Sequence, residues 1–200
     1  MTTTVNTDAP AYIVDGVLTD GEAWVALSTT VLTGDANSIT WTSSTGANDW
    51  SQYMDLIVIS YAHNDYSGAS GMYTIIAEFN NDTTSANYIT QRYYVGSSSI
   101  TAQSVGSLLG AIIGGAISEG VGTNLFSSSM ARIYDINSGK WKAATYWNAA
   151  STGDTNARLQ GGVNVWNDQA AITEIDLTTG DNWTAGSRFD LFGVLPRMVS

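Results

Sequence analysis

The sequence predicts an all-β protein, a single antiparallel β-sandwich of jelly-roll type with an extended N-terminal arm, and three observations lead there. Helix formers are scarce: Glu stands only at 22, 78, 119 and 174, Lys only at 140 and 142, and charged residues make up 12% of the 200-residue chain, about half of the usual share. Glycine is abundant at 20 residues, with Ser, Thr and Asn between the apolar runs, so the punctuation is that of turns. Period-2 alternation recurs, as where Ile175 and Leu177 alternate with Glu174 and Asp176, and Phe189 and Leu191 with Arg188 and Asp190. A 21.2 kDa chain suits one domain, which at this size buries about 70% of its unfolded surface. The expected division is an arm over residues 1–20 and a sandwich over 21–200.

The arm is polar and Thr/Asp-rich, with Pro10, Tyr12, Ile13 and Val14 in its one apolar patch. Such a segment gains by ordering over a partner's surface. Trp24 to Val31 and Ser38 to Trp41 read as a hairpin about Gly34-Asp35-Ala36-Asn37. Tyr53 to Tyr61 is almost continuously apolar and reads as a central strand, with Met72 to Phe79 pairing to it across a polar loop from His63 to Gly71. Tyr88 to Val95 and Ser129 to Ile136 are further strands, the latter with Met130, Arg132, Tyr134 and Ile136 on one face. Ser107 to Ile117 is apolar but interrupted by glycines at 110, 114 and 115, and it falls well short of the ~20 residues of a membrane-spanning helix. It reads as a buried strand or bulge, with a Gly-rich subunit interface as the alternative. Tyr146 to Ser151 and Leu159 to Val165 flank a Thr152-Gly153-Asp154 turn. The strands of Ile175 and Phe189, separated by a turn over Thr178 to Asn182, are expected to close the fold as an antiparallel pair.

Chemistry is nearly absent from the pattern. Cysteine is missing altogether, which excludes disulfides and thiolate sites. His63 is the sole histidine and reads as a solvated loop residue, so no catalytic residue is expected. Glu174 and Asp176 share a face that solvent exposure explains without glycosidase chemistry. Asn80-Asn81-Asp82 and Asp154-Thr155-Asn156 offer oxygen ligands but lack the spacing of a cation loop, so neither a metal nor a cofactor is expected. Ten acidic residues precede Arg92, the first basic one, within a net charge of −11. That field repels phosphates and argues against nucleic acid as a partner. The first residues carry no basic and apolar leader, so no secretory signal is expected and export would follow another route, such as lysis. Of the seven Trp, positions 24, 41, 166 and 183 sit in or beside strands and suit the core, whereas Trp50, Trp141 and Trp147 lie nearer loops and are candidates for a partner-binding surface.

The segments Trp24 to Trp41 ("WVALSTTVLTGDANSITW"), "YMDLIVISYAHND…IIAEFNND" and "W…AAITEIDLTTG…W.AGSRFDLFGVL" resemble a family of β-sandwich virion proteins of tailed phages. In that family the last segment runs "AITSI.L…F..GS.F.LYGI" and the middle one ends Phe-Asn-Gly-Asp, where this chain has Phe79-Asn80-Asn81-Asp82. The similarity spans about residues 22 to 195, and its motifs are structural ones that bring no catalytic residue with them. The resemblance implies a non-enzymatic virion structural protein assembled in the host cytoplasm. The single-domain length and the arm favour a capsid decoration (cement) protein seated on the major capsid protein or another virion protein. A tail-fibre or tail-associated adhesin that binds a receptor or glycan is the alternative. Analogy with other phage sandwich proteins leads to the expectation of a homo-oligomer, a trimer, with no membrane as partner.

Overall fold

Runs rich in β-branched and aromatic residues become strands throughout the chain, and no α-helix occurs among the described residues. The computed structural model describes residues 24–68, 71–96, 99–151 and 157–195, together with the backbone of β1 (Thr2–Val5), β2 (Ile13–Val14) and β3 (Val17–Leu18). Then follow β4 (Trp24–Val31), β5 (Ala36–Thr42), β6 (Asp55–Asn64), β7 (Met72–Phe79), β8 (Tyr88–Gly96), β9 (Ser99–Val105), β10 (Ala111–Ser118) and β11 (Ser127–Tyr134). The last four are β12 (Lys142–Ser151), β13 (Ala157–Trp166), β14 (Glu174–Trp183) and β15 (Arg188–Val194). The protein is all-β, as its composition predicts.

Thirteen of the strands join into one sheet. A long run is ordered β1-β4-β15-β6-β11-β12-β13-β8-β9, and a short run β5-β14-β7-β10. They meet at β6, whose Leu56, Val58, Ser60 and Ala62 are buried toward the core while Ile59 and Tyr61 face outward. Its first part is flanked by β15 and β11, and its end turns to β10 and β14, through Ile117↔His63 and Trp183↔Asn64. Strands β6, β10, β7 and β14 thereby close a small ring. Pairing is antiparallel except between β10 and β6, which departs from the purely antiparallel expectation.

Two expected hairpins do not form. β4 pairs with β15 and β1, whereas β5 pairs with β14, so the turn after β4 carries the chain from the long run to the short one. β14 and β15 are likewise not partners: β14 continues through the expected turn at 178–182, lies between β5 and β7, and hands over to β15 at Thr184 to Ser187. That turn is anchored by Thr184 N donating to His63 O (3.0 Å) and by Gly186 at φ 89°. β7 has the expected bounds but pairs with β10 and β14 rather than with β6. The alternation of Ile175, Leu177, Phe189 and Leu191 correctly marks buried positions, because period 2 reports which side faces the core and carries no information about the partner strand.

β10 is buried at every position and lies across β11, β12 and β13. One edge pairs with β7, with a bulge between Ile112 and Gly114; the other meets β6 only at its end. Side chains from the facing strands complete that second edge. Asn164 Oδ1 accepts from Ile112 N (3.0 Å) while Asn164 Nδ2 donates to Ile112 O (2.6 Å). Asn148 Nδ2 (3.1 Å) and Ser127 Oγ both donate to Gly115 O. A buried backbone group without a partner costs about 1–3 kcal/mol, so these polar residues are in effect a missing strand. Close approach also requires Gly114, where a Cβ would stand 2.6 Å from that of Ser129. The Gly-interrupted segment is therefore the buried, bulged strand expected.

The core holds Trp50, Trp166, Trp183, Tyr53, Tyr146 and Phe79. A corner after β7 locks one side of it. Asn80 and Asn81 stand at φ 53° and 57°, the left-handed region that Gly enters freely and Asn tolerates best. The carboxylate of Asp82 accepts from Trp166 Nε1 (2.8 Å), Asn87 Nδ2 (2.8 Å) and Thr84 N (2.9 Å). Burial works against its ionisation, but these donors together win and hold its carboxyl down at about 2.

Candidate functional site

The long run shows an unusual outer face. In β13 the inward positions are Gln160, Gly162, Asn164 and Trp166, and the outward ones Leu159, Gly161, Val163 and Val165. Three of the four inward residues are polar or side-chain-free because Asn164 must reach β10 and Gln160 Nε2 donates to Tyr146 Oη (2.8 Å). The aliphatic residues are consequently turned to the outside. The strand is inverted with respect to the usual apolar-in pattern.

Neighbouring strands continue this face. The register places Ile59, Met130, Trp147, Gly161 and Tyr93 in one line across β6, β11, β12, β13 and β8. A second line holds Tyr61, Ser128, Ala149, Leu159 and Val95 and ends at Ile100 on β9. Trp147, 54% exposed, is the ridge of the surface. Tyr93 presents its edge to it (ring centroids 6.1 Å, 81°) and lies over Gly161, where a Cβ would come within 3.2 Å of the Tyr93 ring. Tyr61 stacks on Phe126 at 4.7 Å. Shallow dimples flank the ridge, one of about 460 Å³ between Trp147, Tyr93, Gln91 and Val163, another of about 320 Å³ between Trp147, Met130, Ile59 and Leu159.

The ions on this face are paired internally. Arg132 donates to Asp55 through Nε (2.8 Å) and Nη2 (2.5 Å) and lies over the Tyr134 ring. Arg188 and Asp190 pair at 2.9 Å, and Thr29 Oγ1 also donates to Asp190 (2.7 Å). The outer face of the short run differs sharply. There Glu78 and Asp176 are directly opposed across β7 and β14, Glu174 is two residues from Asp176, and β5, β7 and β14 contain no basic residue. Burial, and then the charge of Asp176, push the Glu78 carboxyl up. One side of the described molecule is apolar and charge-neutral; the other is acidic and rich in hydroxyls.

The structure separates the residues singled out from sequence. Trp147 lies at the centre of the apolar face, and Trp141 is exposed at the β11–β12 connection. Trp50 is not a surface residue: at 1% exposure it sits in a 3₁₀ turn (Trp50–Gln52), its Nε1 donating to Asn48 Oδ1 (3.2 Å). Among the Trp expected in the core, Trp24 instead lies on the exposed side of β4. Ile13 and Val14 form β2, paired with β3, whereas Pro10 and Tyr12 lie outside the described residues. His63 is no solvated loop residue but a buried member of β6; its Nδ1 meets Thr184 Oγ1 (2.9 Å), its Nε2 Gly122 O (3.2 Å), and its ring Phe126. Asp65 accepts from Asn182 N and Nδ2.

Ile59, Tyr93, Leu159 and Val163 were missed as surface residues because Ile, Leu, Val and Tyr ordinarily mark the core. The signal for them was present in β13, where Gln160 and Asn164 alternate with Leu159 and Val163. Among the described residues no cluster of three His, Asp or Glu side chains could hold a metal ion, and no helix is long and apolar enough to cross a membrane. Compared with known proteins, the chain matches no family model and no curated protein.

Proposed function

We propose that this chain is a non-enzymatic structural protein of a tailed-phage virion, a capsid decoration protein. The observation that carries the reading is the inverted β13 with the wide apolar face around it: a surface of this breadth suits a protein that works by being assembled. The sequence resemblance over residues 22 to 195 adds the virion context. On this reading the long and short runs are the two layers of a jelly-roll-like sandwich, and the chain forms a homo-oligomer in the host cytoplasm before joining the particle. Its partner there is the major capsid protein or another virion protein. The N-terminal arm, whose β1 is already paired with β4, supplies attachment through the residues after β1, and the acidic short-run face adds attraction to a basic patch. Attachment then weakens as salt rises. The test is binding of purified chain to undecorated capsids, with residues 1–14 present and deleted. The expected result is salt-sensitive decoration that the deletion reduces while a cooperative melt persists; undecorated capsids that never take up the full chain overturn the proposal.

One observation favours the tail-associated adhesin as a second reading. The dimple between Trp147 and Tyr93 combines aromatic rings with the polar side chains of Gln91 and Thr145, the mixture that sugar rings take up. Glycan binding by the full chain that is lost in Trp147→Ala, with capsids left bare, selects this reading over decoration.

A further inference from the structure

We infer that the apolar face centred on Trp147 is closed by the same face of a second copy of this chain, forming an isologous dimer. The inference deepens the structural-protein reading by assigning this face to self-contact and leaving the arm and acidic side for the virion.

Charge selects the occupant. Two copies that each carry −11 repel wherever their acids meet, so self-association needs a surface free of uncompensated acid. The described long-run face is such a surface, since its ions form the Arg132–Asp55 and Arg188–Asp190 pairs. A basic partner would instead be steered to Glu78, Glu174 and Asp176 on the other side. Size agrees as well. From β15 to β9 the face crosses seven strands, and with about 4.8 Å between strands and four ranks of outward side chains about 6.8 Å apart it covers about 600 Å² in projection. Side-chain relief brings this close to the ~800 Å² that each partner contributes to a standard interface. A glycan of two or three rings would fill one dimple and leave the remaining apolar lines wet.

Shape points to two-fold symmetry. Trp147 stands beside the dimple lined by Tyr93, Gln91 and Val163, so a two-fold axis between ridge and dimple places each indole in the other copy's hollow. A face that meets itself closes at two copies, which replaces the trimer of the sequence expectation by a dimer. Because the contact is apolar and opposed by long-range repulsion, it tightens as salt rises, opposite to the salt dependence of capsid attachment.

The experiment is light scattering and sedimentation of the full chain up to about 100 μM at low and moderate salt. The expected mass is that of two copies, with a dissociation constant that falls as salt is added. Trp147→Asp weakens it by at least about a hundredfold while circular dichroism and the cooperative melt are unchanged, and Leu159→Asp does the same. Ser38→Asp, at an exposed position of β5 away from this face, leaves the dimer intact. A one-copy or three-copy mass, a dimer that survives both face variants, or one lost in Ser38→Asp overturns the inference. The two readings fail separately: a one-copy chain that still decorates capsids removes the dimer alone, and a dimer that binds no virion component removes the virion assignment alone.

Discussion

Asn164 offers the sharpest test of how the two runs are held together. Its side chain satisfies both backbone groups of Ile112, and its Oδ1 also accepts from Thr90 Oγ1 (2.6 Å). Asn164→Ala leaves the Ile112 N–H and C=O buried without partners; the Thr90 hydroxyl can rotate away. At about 1–3 kcal/mol for each orphaned group, the two backbone groups cost about 4 kcal/mol. That is a large share of the ~5–15 kcal/mol that stabilises a typical domain. In a chain of this size about 4 kcal/mol corresponds to a fall in Tm of about 10 °C. Urea titration should show a lower midpoint at unchanged slope, because the exposed area on unfolding stays the same. Hydrogen exchange supplies the local readout, with the Ile112 amide losing more protection than amides at the β11–β12 pairing. Asn164→Leu, which restores volume but neither hydrogen bond, should be nearly as damaging. A loss below about 1 kcal/mol in both variants, with Ile112 still protected, would refute the argument that side chains complete the β10 edge.

Three further outcomes follow from the same structure. Asp82 is held at about 2, below the ~3.9 of an unfolded chain, so its stabilisation is complete above that value and disappears as pH falls through about 2; Asp82→Asn should cost about 1–2 kcal/mol at neutral pH, with the difference from the parent shrinking as pH falls below about 4 and closing only below about 2 in thermal melts. The Glu78 carboxyl is pushed up, so its charge is disfavoured in the folded state; Glu78→Gln should raise Tm at neutral pH, and the gain should vanish once pH falls below the ordinary carboxylate range. Asn81, at φ 57°, should accept Gly with little change, whereas Asn81→Val should lower stability by about 1–2 kcal/mol in chemical denaturation.

How far the sequence reaches is shown by individual positions. The burial of Ile175, Leu177, Phe189 and Leu191 was legible, as was the buried strand around Gly114, because alternation and short interrupted apolar runs have local causes. Strand partners were not, since β4, β5, β14 and β15 exchange neighbours across more than a hundred residues. In β12 the adjacent Tyr146 and Trp147 are equally apolar, yet one is buried and one exposed; the choice of side is made by Asn148, which must reach Gly115. Trp50 has a loop-like setting, and only the Asn48 and Asn137 side chains that bind its turn reveal why it is inside. His63 has polar successors that suggest a loop, but β6 needs His63 and Asn64 to bond to β10 and β14.

The position of β15 between β4 and β6 dictates an order of events during synthesis. Thr29 and Asp190, joined by a hydrogen bond, are 161 positions apart, and every strand between β4 and β15 must leave the ribosome before that bond can form. Until then β4 and β6 each present an unpaired, largely uncharged edge, the kind that recruits other nascent chains. Completion of the sheet therefore waits for β15 to emerge and, with so many distant pairings, folding falls in the slow millisecond-to-second range. A ribosome stalled before residue 188 would carry an aggregation-prone intermediate rather than a partly finished domain, so yield in the cell depends on holding β4 and β6 apart until β15 arrives.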